Sequence, residues 1–192
     1  MQLYIGVDLG GTNMAAGLVD ETGKILHKDE TPTGVGRPYQ EILKDMAMLI
    51  KKVIGDAGFK EEDIVSVGIG SPGIADQKEG TIIFANNLYW RHVPVRAELQ
   101  KYLNLPVYID NDATVAGLAE SVSGVCKGVD NSITITLGTG VGAGIIINGK
   151  PYSGSHGVGS ELGHIIIEVD GLECTCGNRG CLERYTSATA LI

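Results

Sequence analysis

Positive charge is in short supply in this sequence. Its 15 Lys and Arg are outnumbered by 23 Asp and Glu, for a formal net charge of −8. Nucleic acid and anionic membrane surfaces need clustered basic side chains, so neither is an expected partner, and any anion bound here must be held locally. Long hydrophobic runs are missing too, since nothing approaches the roughly 20 apolar residues of a membrane span. The opening Met1-Gln2-Leu3-Tyr4 has neither the basic segment nor the apolar stretch of a signal peptide. The expected location is therefore the cytoplasm. Cysteine is sparse, with 4 in all, and three of them crowd into Cys174, Cys176 and Cys181. In a reducing compartment such a cluster points to metal rather than to disulfides. Two familiar phosphate signatures are also lacking: there is no Gly-x4-Gly-Lys-Ser/Thr loop, and no Gly-x-Gly-x-x-Gly opening a long helix, which removes support from P-loop and Rossmann readings.

What is present suffices for a folded protein. With 192 residues, 43% hydrophobic and 20% charged, the chain can bury a real core as one domain or two small lobes. Its 28 glycines follow no period, which suggests that backbone must come close to something, as it does around phosphate.

Along the chain, Leu3 to Val7, Ala15 to Val19 and Ile25 to Lys28 predict three antiparallel strands, the last two joined by the turn Asp20-Glu21-Thr22-Gly23. From Tyr39, apolar residues at Ile42, Met46, Leu49, Ile50 and Val53 predict a helix ending between Gly55 and Gly58. Ile64 to Ile69 reads as a buried strand, Val95 to Leu103 as a short helix, Val107 to Ile109 as a strand and Thr114 to Ser121 as a helix. An internal echo stands out. Ile135-Thr136-Leu137-Gly138-Thr139-Gly140, then Gly142 to Ile147 and the turn Asn148-Gly149-Lys150, repeats the plan of Val7 to Thr12, Ala15 to Val19 and Gly23-Lys24. A lobe boundary is expected near Lys127 to Asn131, giving an N-terminal lobe of residues 1–127 and the start of a C-terminal lobe in 128–192. Paired hairpins of this kind resemble the actin, hexokinase and heat-shock ATPase group, a two-lobe α/β fold with a ribonuclease H-like core.

Three constellations carry chemistry. Asp8-Leu9-Gly10-Gly11-Thr12 sets a carboxylate at a strand end before two residues without Cβ and a hydroxyl. Backbone N–H groups there can turn to phosphate oxygens while Asp8 holds Mg²⁺ or its waters. A plain hairpin turn would need glycine only for positive φ, but the second loop, Gly138-Thr139-Gly140, argues for phosphate at both. Asp110-Asn111-Asp112 lies between a strand and a helix, where ligands of open α/β sheets bind, and three such residues exceed what helix capping needs. Asp112 is the candidate base for a sugar hydroxyl, and Asn111 the candidate partner of a neighbouring hydroxyl. His164 with Cys174, Cys176 and Cys181 offers one imidazole and three thiolates, which suits a closed structural Zn²⁺ site that builds rather than catalyses. Such a site would lock the loop and place Glu161 and Glu183 to accept from sugar hydroxyls. Cys126, His27, His92 and His156 have no supporting constellation.

These motifs, in this order from Asp8 to Glu183, resemble the ROK family of repressors, open reading frames and kinases. The resemblance implies an ATP-dependent, glucokinase-type hexose kinase of glycolytic carbohydrate metabolism, with Asp112 as catalytic base. It implies His164 and the three cysteines as zinc ligands, and Asn111, Glu161, His164 and Glu183 as sugar contacts. Asn86-Asn87-Leu88 is similar to a further sugar-contacting segment, with either Asn86 or Asn87 pointing inward. ATP, Mg²⁺ and structural Zn²⁺ are the implied cofactors, and a dimer or tetramer the implied assembly at full length. Family kinases continue past the position of Ile192 with an adenosine-binding segment. The second lobe is therefore expected to be incomplete, and the fragment alone weakly active or inactive. The alternatives are a sugar-responsive transcriptional regulator of the same family, a kinase for N-acetylmannosamine or fructose, and a zinc-knuckle interaction module.

Overall fold

The structure is a computed structural model that describes all residues, Met1–Ile192. The chain divides into two compact units, Met1–Asp112 and Ala113–Ile192.

In the first unit, β1 (Leu3–Leu9), β2 (Asn13–Asp20) and β3 (Ile25–Pro32) form an antiparallel meander, as the sequence predicts. Asp20 shapes the β2–β3 turn, where its carboxylate accepts from the Thr22 amide and hydroxyl and from the Lys24 amide. The Thr22 hydroxyl is the main reason that this carboxyl titrates below its usual range. The free edge of β1 takes β4 (Ile64–Ser71) in parallel, and β4 takes β8 (Val107–Asn111), giving the order β3-β2-β1-β4-β8. Helix α1 (Tyr39–Asp56) buries Ile42, Leu43, Met46, Leu49, Ile50 and Val53, the 3.6-residue stripe visible in the sequence. These join Ile5, Leu9, Leu18 and Ile69 in one apolar core, in which each fully buried aliphatic side chain contributes about 1.5–3 kcal/mol.

A second sheet, of β5 (Ile74–Asp76), β6 (Thr81–Ala85) and β7 (Trp90–Val93), escaped the sequence reading. Its strands have 3, 5 and 4 residues, too short for a period-2 signal. Its turns rest on close approaches. At Gly73, with φ of 87°, a Cβ would lie 2.1 Å from the Phe84 carbonyl oxygen. The helix that follows, α2 (Val95–Leu99), is shorter than the predicted Val95 to Leu103.

In the second unit, β9 (Ser132–Leu137), β10 (Val141–Ile147) and β11 (Lys150–Pro151) repeat the antiparallel meander in the order β11-β10-β9. Helix α3 (Asp112–Val122) begins on the last residue of the first unit, and its body packs on β10. Gly117 and Gly144 face each other so closely that a Cβ on either would come within 2.7 Å of the other's Cα. The division at Asp112/Ala113 places the body of α3 with the second unit, whereas the repeated strand–loop–strand plan leads one to expect a lobe boundary near Lys127 to Asn131. No helix is long and apolar enough to cross a membrane.

Candidate functional site

The first unit carries the loop between β1 and β2. Asp8, at the end of β1, is exposed, and Gly11 and Thr12 are exposed beyond it. Neither Gly10 nor Gly11 has positive φ, so the plain turn requirement is not why glycine stands there. Space is the reason at Gly10, where a Cβ would lie 2.7 Å from the Asn13 carbonyl, which accepts the Gly10 N–H at 3.0 Å. At Gly11 a Cβ would sit 3.4 Å from the Asn87 carbonyl, so the β1–β2 loop lies against the Asn86-Asn87 segment. A single exposed carboxylate beside backbone donors fits Mg²⁺, which keeps several waters and takes one or two carboxylates together with substrate phosphates.

Asn86 and Asn87 lie on a one-turn helix, Asn86–Leu88, and are both exposed. Tyr89 closes that turn in the left-handed region at φ 56°. Asn111 ends β8 and donates from Nδ2 to the Gly73 carbonyl at 3.1 Å, which ties it to the loop before β5. Asp112 follows as the first residue of α3, exposed at the C-terminal end of a parallel strand.

Asp110, given no role from sequence, braces this pair. Its Oδ1 accepts the Asn111 N–H at 2.8 Å and its Oδ2 accepts from Gln77 Nε2 at 2.7 Å. Arg96 in turn holds the Gln77 and Lys78 carbonyls, each at 2.7 Å, and that of Val107 at 2.8 Å. Sequence reasoning missed Gln77 and Arg96 because neither belongs to a motif; only folding brings their segments to β8.

In the second unit, the β9–β10 loop closes with the Gly138 N–H donating to the Gly140 carbonyl at 3.0 Å. Glu183, which opens the short helix α4 (Glu183–Thr186), reaches back to it and accepts the Val141 N–H on Oε2 at 2.9 Å. Gly163, in the one-turn helix Leu162–His164, lies under β10, where a Cβ would be 2.1 Å from the Val141 carbonyl oxygen. Glu161 and His164 flank it, both half-buried.

His164 meets the cysteine knuckle. The Sγ of Cys174 lies 3.6 Å from His164 Nδ1, and those of Cys176 and Cys181 lie 3.6 Å apart. The four ligand atoms all fall within 4.8 Å of one another. A tetrahedron with Zn–S bonds of about 2.3 Å has S···S edges of about 3.8 Å, so the donor set and its spacing both fit zinc. Gly180, at φ 76°, permits the knuckle to fold, since a Cβ there would strike the Glu168 carbonyl. Without metal, burial and then the neighbouring thiols push the Cys181 thiol up to about 12. Cys176 goes the other way. Burial works against it, but the Asn178 backbone and the thiols of Cys174 and Cys181 outweigh that and hold it below the ordinary thiol value. Cys126, half-buried, stands outside this group.

Residues 4–192 match the ROK family. The chain is 45% identical over 194 residues to a glucokinase of Streptomyces coelicolor, an alignment covering 100% of this chain and 58% of that protein. It is 37% identical to a xylose repressor of Caldicellulosiruptor bescii, over 98% of this chain and 47% of the repressor. Among solved structures, a ROK family glucokinase of Streptomyces griseus in complex with glucose and AMPPNP superposes with a TM-score of 0.86 at 42% identity. That superposition covers 98% of this chain and 58% of the other. The chain thus spans a little over half the length of these kinases.

Proposed function

The chain belongs to the ROK family, and from that membership we propose that its residues serve the ATP-dependent phosphorylation of a hexose, with glucose as substrate and glucose 6-phosphate as product. Its fold is that of the actin/hexokinase group. Asp112 carries the reading: an exposed carboxylate at the C-terminal end of β8, directly after Asn111, in a chain that has two Gly/Thr hairpin loops of the same plan.

In this mechanism Asp112 accepts the proton of the sugar hydroxyl as that oxygen attacks the γ-phosphorus, and ADP departs with the electrons of the breaking P–O bond. Phosphoryl transfer asks mainly for positioning and charge stabilisation, so a carboxylate of ordinary basicity serves. Asn111, Glu161, His164, Glu183 and one of Asn86 and Asn87 hold the other hydroxyls. Gly10, Gly11 and Thr12 on one loop, with Gly138, Thr139 and Gly140 on the other, present N–H and hydroxyl donors to the phosphates. Asp8 would hold Mg²⁺ or its waters, and the ion would supply neutralising charge to the phosphates. His164, Cys174, Cys176 and Cys181 would hold a structural Zn²⁺, which would fix the segment that carries Glu161 and Glu183.

The glucokinase complexed with glucose and AMPPNP supports these ligand classes. The xylose repressors match the same stretch, so membership alone does not choose between catalysis and sensing. A coupled ADP-release assay decides it, run against glucose, mannose, fructose and N-acetylmannosamine with the protein that carries this chain. Turnover highest on glucose is expected. Saturable glucose binding without ADP release would overturn the kinase reading in favour of a sugar sensor.

A further inference from the structure

Thr33, just past the end of β3, is wholly buried at 0% exposure, and it commits both of its polar donors to the β1–β2 loop. Its backbone N–H donates to the Thr12 carbonyl at 2.8 Å and its hydroxyl to the Gly10 carbonyl at 2.7 Å. Behind it, Arg37 Nη2 donates to the Thr33 carbonyl at 3.0 Å, and Arg37 Nη1 pairs with Asp45 of α1 at 2.8 Å. The loop is thereby anchored to the helix.

A loop that binds an anion must dispose of its carbonyl oxygens, which repel phosphate and need donors of their own. Within a trans peptide unit, C=O and the next N–H point in opposite directions. Drawing the Gly10 carbonyl inward therefore turns the Gly11 N–H outward, and drawing the Thr12 carbonyl inward does the same for Asn13. Both outward residues are exposed.

The second unit repeats the device with different chain. There the Ala188 N–H donates to the Gly138 carbonyl at 2.9 Å, and the Thr189 hydroxyl to the Thr139 carbonyl at 3.0 Å. By the same planarity the N–H groups of Thr139 and Gly140 turn away from those anchors. Thr33 follows a strand and Thr189 lies within a one-turn helix, Ala188–Ala190, so the likeness lies in what is done to the loop rather than in the sequence that does it.

We propose that Thr33 and Thr189 are positioning residues for the polyphosphate of a nucleotide, each tying back the carbonyls of one Gly/Thr loop so that its N–H groups face the anion. The inference rests on the reading of Asp8 to Thr12 and Gly138 to Gly140 as phosphate loops.

The test is ¹⁵N NMR titration of residues 1–192 with sodium tripolyphosphate and, separately, with glucose. The amides of Gly11, Asn13, Thr139 and Gly140 should shift on adding tripolyphosphate while that of Thr33, already bonded, should not. Thr33→Val keeps the shape and removes the hydroxyl, and should weaken tripolyphosphate binding about fivefold, the factor that one lost hydrogen bond carries. Glucose affinity should stay the same, and Thr33→Ser should restore binding. Thr189→Val, at an exposed site, repeats the experiment without touching the core and should lower affinity by a similar factor. Wild-type binding with both valine variants unchanged overturns this inference alone. No tripolyphosphate binding by the wild type overturns it together with the phosphate-loop reading.

Discussion

Val141 and Glu183, 42 residues apart in sequence, are joined by a 2.9 Å hydrogen bond from the Val141 N–H to Glu183 Oε2. The carboxylate occupies the space that a side chain on Gly140 would take, lying 2.4 Å from a Cβ built there. Glu183 is therefore a latch on the second Gly/Thr loop, through one oxygen, whatever it contributes to sugar binding. Replacing it by alanine should cost about 1–2 kcal/mol and lower Tm by roughly 2–6 °C, whereas Glu183→Gln, which keeps an acceptor oxygen, should stay within about 1 °C of wild type. Thermal denaturation by circular dichroism checks both, and equal losses would show that the negative charge matters more than the acceptor.

The glycines of the first loop should separate. A Cβ on Gly10 meets the Asn13 carbonyl at 2.7 Å, so Gly10→Ala should destabilise by about 1–3 kcal/mol. At Gly11 the nearest atom is 3.4 Å away, so Gly11→Ala should leave the melting curve within about 0.5 kcal/mol of wild type while weakening ATP or tripolyphosphate binding. Urea denaturation beside calorimetric titration tests the split. Full anion affinity in Gly11→Ala would remove that backbone from the phosphate site.

For Asp112→Asn, the expected result is a loss of turnover of about 10²–10⁴, with glucose affinity within a few fold, because the amide keeps the shape and cannot take the proton. Steady-state kinetics with an equilibrium glucose titration read the two effects separately. A near wild-type kcat would leave Asp112 the lesser task of starting helix α3.

Metal content should be one zinc per chain. Cys176→Ser should lose most of it and melt earlier, and a strong chelator should reproduce that shift in the wild type. The pH dependence has a definite sign. In the metal-free chain the Cys181 thiol titrates near 12, so at neutral pH it is protonated and zinc must displace that proton. Affinity should accordingly rise with pH and fall on acidification, with proton release on zinc uptake measurable in weakly buffered solution. Binding independent of pH between about 6 and 8 would contradict a site built on these thiols.

The sequence by itself determined the local elements and which chemistry-bearing residues stand together along the chain. Alternation and the 3.6-residue period gave the two meanders and helix α1, because those signals depend only on which side of an element meets a core. The grouping of the candidate metal site was legible as well, since three of its four residues are compressed into eight, Cys174 to Cys181, and the fold brings His164 to them. Only the tertiary structure decided what covers each strand and what braces each loop. Ile133, Ile135 and Leu137 of β9 occupy the places of Ile5, Val7 and Leu9 in β1 and look as apolar, yet they are 60%, 54% and 66% exposed against 1%, 5% and 0%. Periodicity reports that a side is apolar; its burial depends on a partner, which β1 finds in the core it shares with α1. The same holds for Thr33, Gln77, Arg96 and Glu183, whose contacts span 11 to 42 residues of chain. A hydrogen bond across such a separation leaves no spacing for a reader of the sequence to find, because it is the packing of the intervening elements that sets it.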